Sequence, residues 1–567
     1  MTSNVQQQPS YVSGTSEDPL LFQTIGSLLD EAATNWGTKE ALVMRHQNVR
    51  MTYSQLNDAV NDFALGLHSL NLRKGDRIGI WSPNRVEWVI TQFATAKLGL
   101  ILVNINPAYR TAELEYVLNQ VECKSLVIAE EFKTSNYVDM LGELAPELSG
   151  TDEKRLNSKR LPHLESVICT SERSIAGMYR FSDVEKSGQA VERVILEQTA
   201  SSLDPDDPIN IQFTSGTTGM PKGATLTHFN IVNNGFFVGK AMKFTERDRL
   251  CIPVPLYHCF GMVMSVLTCV SFGATMVFPG EGFEPGQVLE TVENEKCTAL
   301  HGVPTMFIAQ LDDPSFSKTD FSSLRTGIMA GAPCPVEVMK RVQREMCMEE
   351  VTIAYGMTET SPVSFQSSTD DPIEKRVSTV GRIMPHVQVK IIDENGVVVA
   401  RGDRGELCTR GYSVMQKYWN DKKKTDESID ADGWMHTGDL ATLDGEGYCN
   451  IVGRVKDMII RGGENVYPRE IEEFLFRHPK IQDVAVFGVP DERLGEAVAC
   501  WAQAKEGEIL ITEEIREFCQ GQIAHYKVPA HIQIVAEFPM TVTGKIQKFV
   551  MRDQVIEQLG LASQKTA

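Results

Sequence analysis

What the sequence lacks narrows its function first. Residues 250–280 carry no charge, but Pro253, Pro255, His258, Gly261, Gly273 and Pro279 interrupt them. Their longest clean apolar piece, 259–270, falls well short of the ~20 residues a membrane span needs. No lysine or arginine precedes Lys39, while Glu17 and Asp18 are acidic. Neither a basic amphipathic presequence nor a secretory signal is therefore expected. The final SQKTA is not a peroxisomal tail. None of the 12 cysteines forms a C-x-x-C pair, so reduced thiols are expected and a zinc site is not. Basic charge is in deficit: 55 Lys and Arg against 75 Asp and Glu give −20. That balance excludes broad, unaided binding to nucleic acid or an anionic membrane.

What is present suits a folded protein of several structural units. The 567 residues are 42% hydrophobic and 23% charged, ample for a large core without disulfides. Short β-branched runs recur at 77–81, 100–104, 125–129, 209–213, 274–278 and 351–355. Helical patterns follow several of them, at 86–97, 107–118, 283–295 and 335–346. This alternation predicts an α/β fold with parallel-rich, helix-covered sheets. The polar stretches 145–160 and 367–377 are expected to be surface loops. After about residue 380 the texture becomes a hairpin, VQVKIID-ENG-VVVA, and further strands. The expected division is a large domain, 1–454, with a β subdomain at 380–454, and a small α+β domain, 455–567. In that lobe, helices are expected at 468–478 and 512–523, and strands at 481–489, 497–504 and 532–537.

The strongest motif follows strand INIQF and reads Thr214-Ser215-Gly216-Thr217-Thr218-Gly219-Met220-Pro221-Lys222-Gly223. Such a loop offers backbone N–H and hydroxyl groups to phosphate oxygens, and Lys222 adds a positive charge. Glycine, not Ser or Thr, follows the lysine, so this is not a Walker A loop. A helical pattern, THFNIVNN, comes after it.

With NPAYR (106–110), DPINIQFTSGTTG (207–219), PLYHCFG (255–261), AYGMTETSPV (354–363), VGRIMPH (380–386) and KDMIIRGGENVYP (456–468), the chain resembles the adenylate-forming acyl-CoA synthetases. Luciferases and peptide-synthetase adenylation domains are their relatives. The resemblance covers about residues 20–555 and is nearest to the mitochondrial-type medium-chain branch. It implies that ATP, a carboxylic acid and CoA are the substrates and that Mg²⁺ assists. The cytoplasm is the expected compartment, with the mitochondrial matrix as runner-up.

The resemblance also assigns roles. Tyr355 stacks on adenine, Thr358 contacts the α-phosphate, and Glu359 ligates the metal. Gly331-Ala332-Pro333 runs along the adenine. Asp439 takes the ribose hydroxyls, and Arg454 takes ribose or phosphate. Lys456 is the hinge. Lys545 joins the α-phosphate and the attacking carboxylate. His258 stands between acyl pocket and phosphate, where amino-acid-activating relatives carry an acid. Gly462 and Gly463 flank the pantetheine arm, and Arg461 meets a CoA phosphate. Locally, each segment also fits a plainer role: a helix cap at 355–360, a strand-to-helix turn at 331–333, a core histidine, exposed turn side chains.

Phe260, Met262, Met264, Val266 and Leu267 are expected to line a pocket for an apolar acid. The expected function is a medium-chain fatty acid:CoA ligase working through acyl-AMP. The alternatives are an aryl-acid ligase and a free-standing enzyme loading a carrier protein.

Overall fold

The computed structural model describes residues 8–150, 155–214, 221–332, 334–455, 457–461, 464–491, 494–520, 522–541 and 545–560. Among them, two large sheets carry eight and nine strands. The eight-stranded sheet runs parallel from Tyr179–Arg180 through Ser166–Cys169, Ser125–Ile128, Arg77–Trp81 and Ile101–Asn104 to Pro208–Thr214. Lys222–Thr227 then turns back antiparallel, and Lys417–Tyr418 pairs with its edge. The nine-stranded sheet is parallel from Glu350–Gly356 through Thr326–Ala330, Ala299–Gly302, Arg249–Cys251 and Thr275–Phe278 to Glu40–Met44. Its central strands are buried on both faces, as helix-covered parallel strands must be.

The helices read directly from their patterns. Val86–Leu98 buries every residue except Glu87, so it lies inside rather than on the surface. Thr227 caps His228–Ala241 through a reciprocal bond pair with Asn230. The uncharged 259–270 segment forms a buried π-helical stretch, Phe260–Leu267, continued by Thr268–Phe272. Among the described residues no helix is long and apolar enough to cross a membrane.

A third, antiparallel sheet holds Tyr11–Ser13, Val387–Ile392, Gly405–Gly411, Met435–Leu443 and Cys449–Arg454. The C-terminal unit is a smaller sheet, centred on Ile481–Asp491 and Gly495–Ala504 and backed by helices Pro468–Leu475 and Lys548–Leu559.

Three expectations need correction. The loop after Pro208–Thr214 is followed by strand Lys222–Thr227 before the helix begins, because KGATLT pairs antiparallel with Pro208–Thr214 and is buried from Gly223 to Thr227. VVVA turns back on Val387–Ile392 as a hairpin but makes only isolated bridges, Val398 to Ile392 and Ala400 to Pro9, and the full partner of Val387–Ile392 is Gly405–Gly411. Residues 367–377 are not all loop, since a helix spans Ile373–Ser378.

Gly381 holds the junction between the large sheet and the antiparallel one. Its φ is +84°, and an added Cβ would stand 2.2 Å from the Gln366 carbonyl carbon. Gly381→Ala combines left-handed strain with a backbone clash, and the expected cost is about 2–4 kcal/mol. A lowered midpoint in thermal or urea unfolding checks this.

Candidate active site

The functional candidates gather at the carboxyl ends of the two large sheets, where parallel strands present their loops to ligands. Thr214 ends the last parallel strand of the first sheet, and Tyr418 sits on that sheet's edge. Glu359 lies in the short turn Thr358–Thr360 that follows Glu350–Gly356 of the second. Glu359 is only 5% exposed. Glu359 Oε1 accepts the Tyr418 hydroxyl at 2.7 Å and the Thr214 hydroxyl at 3.2 Å. Lys222 Nζ in turn donates to Tyr418 Oη at 3.1 Å and lies 4.3 Å from the ring centroid. Burial, then the Glu359 charge, hold the Tyr418 hydroxyl far above its ordinary pKa, so it remains a donor.

A second cluster is built on a cross-strand pair. Asp439 and Arg454 stand opposite each other on Met435–Leu443 and Cys449–Arg454. Arg454 Nε lies 3.2 Å from Asp439 Oδ1, and Tyr355 donates its hydroxyl to Asp439 Oδ2 at 2.5 Å. Burial raises the Asp439 carboxyl above its usual range, opposed by the Arg454 charge. Strands Thr326–Ala330 and Glu350–Gly356 run side by side with Ala330 beside Ala354, so Gly331 leaves its strand beside Tyr355, which still pairs with Phe365. Gly331 has φ +87° and is exposed, and Ala332 is half-buried.

The PLYHCFG segment supplies the third element. Asn84 positions it by donating to Val254 O at 3.0 Å and accepting Leu256 N–H at 2.7 Å. His258 Nδ1 accepts the Phe260 N–H at 3.1 Å. Burial, then the Lys545 charge, lower the His258 pKa to about 3. The ring is therefore neutral, and its proton belongs on Nε2. Cys259 Sγ lies 3.8 Å from the hydroxyl of Thr358.

Lys545 reaches this centre from the C-terminal unit. Its turn is closed by Thr541 N–H on Lys545 O at 2.8 Å and Lys545 N–H on Thr541 Oγ1 at 3.1 Å. Lys545 is exposed, yet protein atoms crowd its ammonium. Crowding there, and next the charge of Arg454, hold its ammonium below the ordinary lysine range, while Cys259, Glu359 and Asp439 act the other way. A cavity of about 350 Å³ adjoins the centre, walled by Pro255, Tyr257, Phe283 and Met306 from the large lobe and Met540 and Thr541 from the small one.

Ser215, Gly216, Thr217, Thr218, Gly219, Met220, Pro333, Lys456, Gly462 and Gly463 lie outside the described residues. Pro221 lies within them, its carbonyl accepting the Tyr116 hydroxyl at 3.3 Å. The structure brings together Thr214, Lys222, His258, Thr358, Glu359, Tyr355, Asp439, Arg454 and Lys545. Arg461 instead donates to Tyr526 O at 2.5 Å. The expected pocket wall differs too: Met262, Met264, Val266 and Leu267 are at most 3% exposed, and none of them lines the cavity. Met262 is tied inward, its sulfur accepting Asn104 and Gln212 amides at 3.1 and 3.2 Å. Tyr418 and Asn84 escaped sequence reasoning, since neither lies in a glycine- or hydroxyl-rich signature.

Residues 29–419 match the AMP-binding enzyme family, and residues 470–545 match the AMP-binding enzyme C-terminal domain. The chain belongs to the AMP-binding enzyme family. The putative acyl-CoA synthetase YngI of Bacillus subtilis (strain 168) is 48% identical over 545 residues, covering 96% of this chain and 99% of that protein. The mitochondrial medium-chain acyl-CoA ligase ACSF2 of Danio rerio is 46% identical over 555 residues, covering 97% and 91%. A crystal structure of the anthranilate CoA ligase AuaEII with anthranoyl-AMP superposes with a TM-score of 0.85 at 26% identity, covering 96% and 99%. ATP-bound MatB from Rhodopseudomonas palustris gives 0.81 at 27% identity, covering 93% and 98%. This AMP-binding enzyme is of the acid–thiol ligase type and uses ATP.

The donor chemistry around Glu359 fits magnesium. One carboxylate with the hydroxyl oxygens of Thr214 and Tyr418 upon it is a hard-oxygen set, and Mg²⁺ is usually held by one or two carboxylates plus substrate phosphates.

Tyr418→Phe removes the shortest hydrogen bond to Glu359 and keeps the ring under Lys222. Losing a bond to a charged group costs about 1.5–3 kcal/mol. ATP–pyrophosphate exchange is expected to fall about ten- to a hundredfold, with the protein still folded by circular dichroism.

Proposed function

We propose that this enzyme activates a medium-chain, apolar carboxylic acid as its acyl adenylate and passes the acyl group to coenzyme A. The observation that carries this reading is the convergence of Lys545, from one lobe, on His258, Cys259, Glu359, Asp439 and Arg454 of the other. Such a centre sets two cations, Lys545 and Arg454, where two anions, a carboxylate and a triphosphate, must meet.

In the first half-reaction a carboxylate oxygen bonds to the α-phosphorus and pyrophosphate leaves. Lys545 bridges the two reacting groups as a compact cation and offsets their repulsion. Neutral His258 offers an Nε2–H donor to the carboxylate without adding charge. Thr358 steadies the α-phosphate, and Lys222 and the 214–222 loop hold the outer phosphates. Asp439 accepts from the ribose hydroxyls, with Tyr355 beside the base. Magnesium, held by Glu359 and the phosphates, supplies charge neutralisation on the triphosphate. In the second half-reaction the CoA sulfur bonds to the acyl carbon, AMP leaves, and the thiol proton passes to solvent. Lys545 has no part there, so the small domain, 455–567, turns about Lys456 against the large one, 1–454 with its β subdomain 380–454. The Gly463 loop then faces the pantetheine arm.

The mostly apolar cavity beside Tyr257 and Met306, and the ACSF2 relatives, support an apolar chain of medium length. An aryl acid is the second reading, supported by the likeness to the anthranilate ligase. The compartment proposed with it is the cytoplasm, and the mitochondrial relatives keep the matrix as the alternative.

Pyrophosphate release with ATP, Mg²⁺ and acids from butanoic to octadecanoic, plus aryl acids, tests the reading with and without CoA. Medium-chain acids are expected to give the highest kcat/KM, with acyl-CoA as product; no acid-dependent release overturns it. Lys545→Ala should lower adenylation about a hundredfold or more and leave thioester formation from supplied acyl-AMP intact. Because the Lys545 pKa is depressed, its charge is present at low pH and lost on the alkaline side. The alkaline limb of kcat/KM for adenylation should therefore fall below the ordinary lysine value of about 10.4. The half-reaction from acyl-AMP should lack that limb.

A further inference from the structure

On the antiparallel sheet, away from the phosphate-facing carboxylate Glu359, three side chains of different chemistry meet. Cys408 and His436 stand directly opposite each other on neighbouring strands, and Glu406 lies two residues before Cys408. Cys408 Sγ is 3.6 Å from His436 Nδ1, and Glu406 Oε2 is 3.2 Å from the same nitrogen. All three ligand atoms lie within 4.8 Å of one another, and among the described residues no other such group is found. A tetrahedral zinc ion bonds sulfur at about 2.3 Å and nitrogen or oxygen at about 2.1 Å, which holds its ligands about 3.4–3.6 Å apart. The 3.6 Å sulfur–nitrogen separation matches an edge of that tetrahedron, and the 3.2 Å nitrogen–oxygen separation is slightly shorter than one.

The surroundings are also those of a metal site. The other ring nitrogen of His436, Nε2, lies 3.7 Å from Asp430 Oδ2. A carboxylate behind the ring is what orients a metal-bound histidine. Glu406 Oε1 accepts the Gly438 N–H at 3.2 Å, which fixes its carboxylate. Cys408 packs in the core with Ile392 and Trp434, and its sulfur lies within reach of His436, so the ring has a thiol beside it as well as two carboxylates.

We propose that Glu406, Cys408 and His436 bind zinc or a similar thiophilic divalent cation, with water as the fourth ligand. Cys408 binds as the thiolate, its proton passing to solvent, so two anionic ligands balance the dication. The site lies behind the bulge at 437–439, where Gly438 takes φ +69° and Asp439 is aimed toward Tyr355 and Arg454. A bound ion would stiffen that bulge and so link metal occupancy to the nucleotide side. Spacing in the sequence hides the site, because its ligands come from two strands 28 residues apart.

Cobalt(II) titration of the whole purified, chelator-treated protein tests this by absorbance. The expected result is one equivalent with a thiolate-to-cobalt charge-transfer band and the visible bands of tetrahedral cobalt, displaced by zinc. Cys408→Ser should lose the charge-transfer band, and His436→Gln the tight binding. Asp430→Asn should weaken binding about ten- to a hundredfold. Circular dichroism without metal checks that each variant folds; if Cys408→Ser does not, His436→Gln and Asp430→Asn carry the test. Absence of a thiolate band, or a band undiminished in Cys408→Ser or His436→Gln, overturns the proposal.

Discussion

The site depends on one buried carboxylate. Glu359 stands almost without water between the two large sheets, and a buried charge must be hydrogen-bonded to be tolerated. Its donors, Thr214 and Tyr418, come from the sheet opposite its own. The bonds that satisfy Glu359 therefore also fix the distance between the sheet ends. Lys222 beneath the Tyr418 ring ties the start of the returning strand into the same arrangement. A ligand of the triphosphate is thus placed by the fold itself rather than by a loose loop.

The second constraint is charge of one sign brought close. Lys545 and Arg454 approach across the lobe boundary, and after burial it is the Arg454 charge that disfavours the Lys545 ammonium. A polyanionic substrate between them relieves that repulsion, so the closed arrangement is suited to a filled site. The lobe contacts around it are modest. Arg404 pairs with Glu470 at 2.7 Å and lies 3.9 Å over Tyr467, and Arg469 donates to Ile451 O at 2.5 Å. Ion pairs at a half-exposed boundary contribute little each. Such contacts can be exchanged when the lobes turn for a second step.

Much of the framework was legible from pattern. The strand at Arg77–Trp81 falls on the expected residues, and helices such as Val86–Leu98 and Val336–Glu345 fall within a residue of theirs. Hydrophobic period and β-branching carry that information locally. Strand Lys222–Thr227 was not legible, because its glycine and threonines read as loop and only pairing with Pro208–Thr214 makes it a strand. The terminal helix Lys548–Leu559 also escaped, since apolar periodicity in it is weak and its burial rests on two residues, Met551 and Val555. The apolar run at 260–267 was rightly read as buried helix but wrongly as a cavity wall; apolarity alone does not tell core from pocket.

The sequence by itself determined the α/β alternation, the phosphate loop after a buried strand and the family to which the motifs point. These are local signals: periodicity, glycine and hydroxyl density, and short signatures. Only the tertiary structure decided that Thr214 and Tyr418 both hold Glu359, that Tyr355 and Arg454 share Asp439, and that Cys408 faces His436. Those pairings join residues 28 to 145 positions apart or set a strand against its neighbour. Their geometry comes from sheet register and lobe docking, which no local pattern encodes.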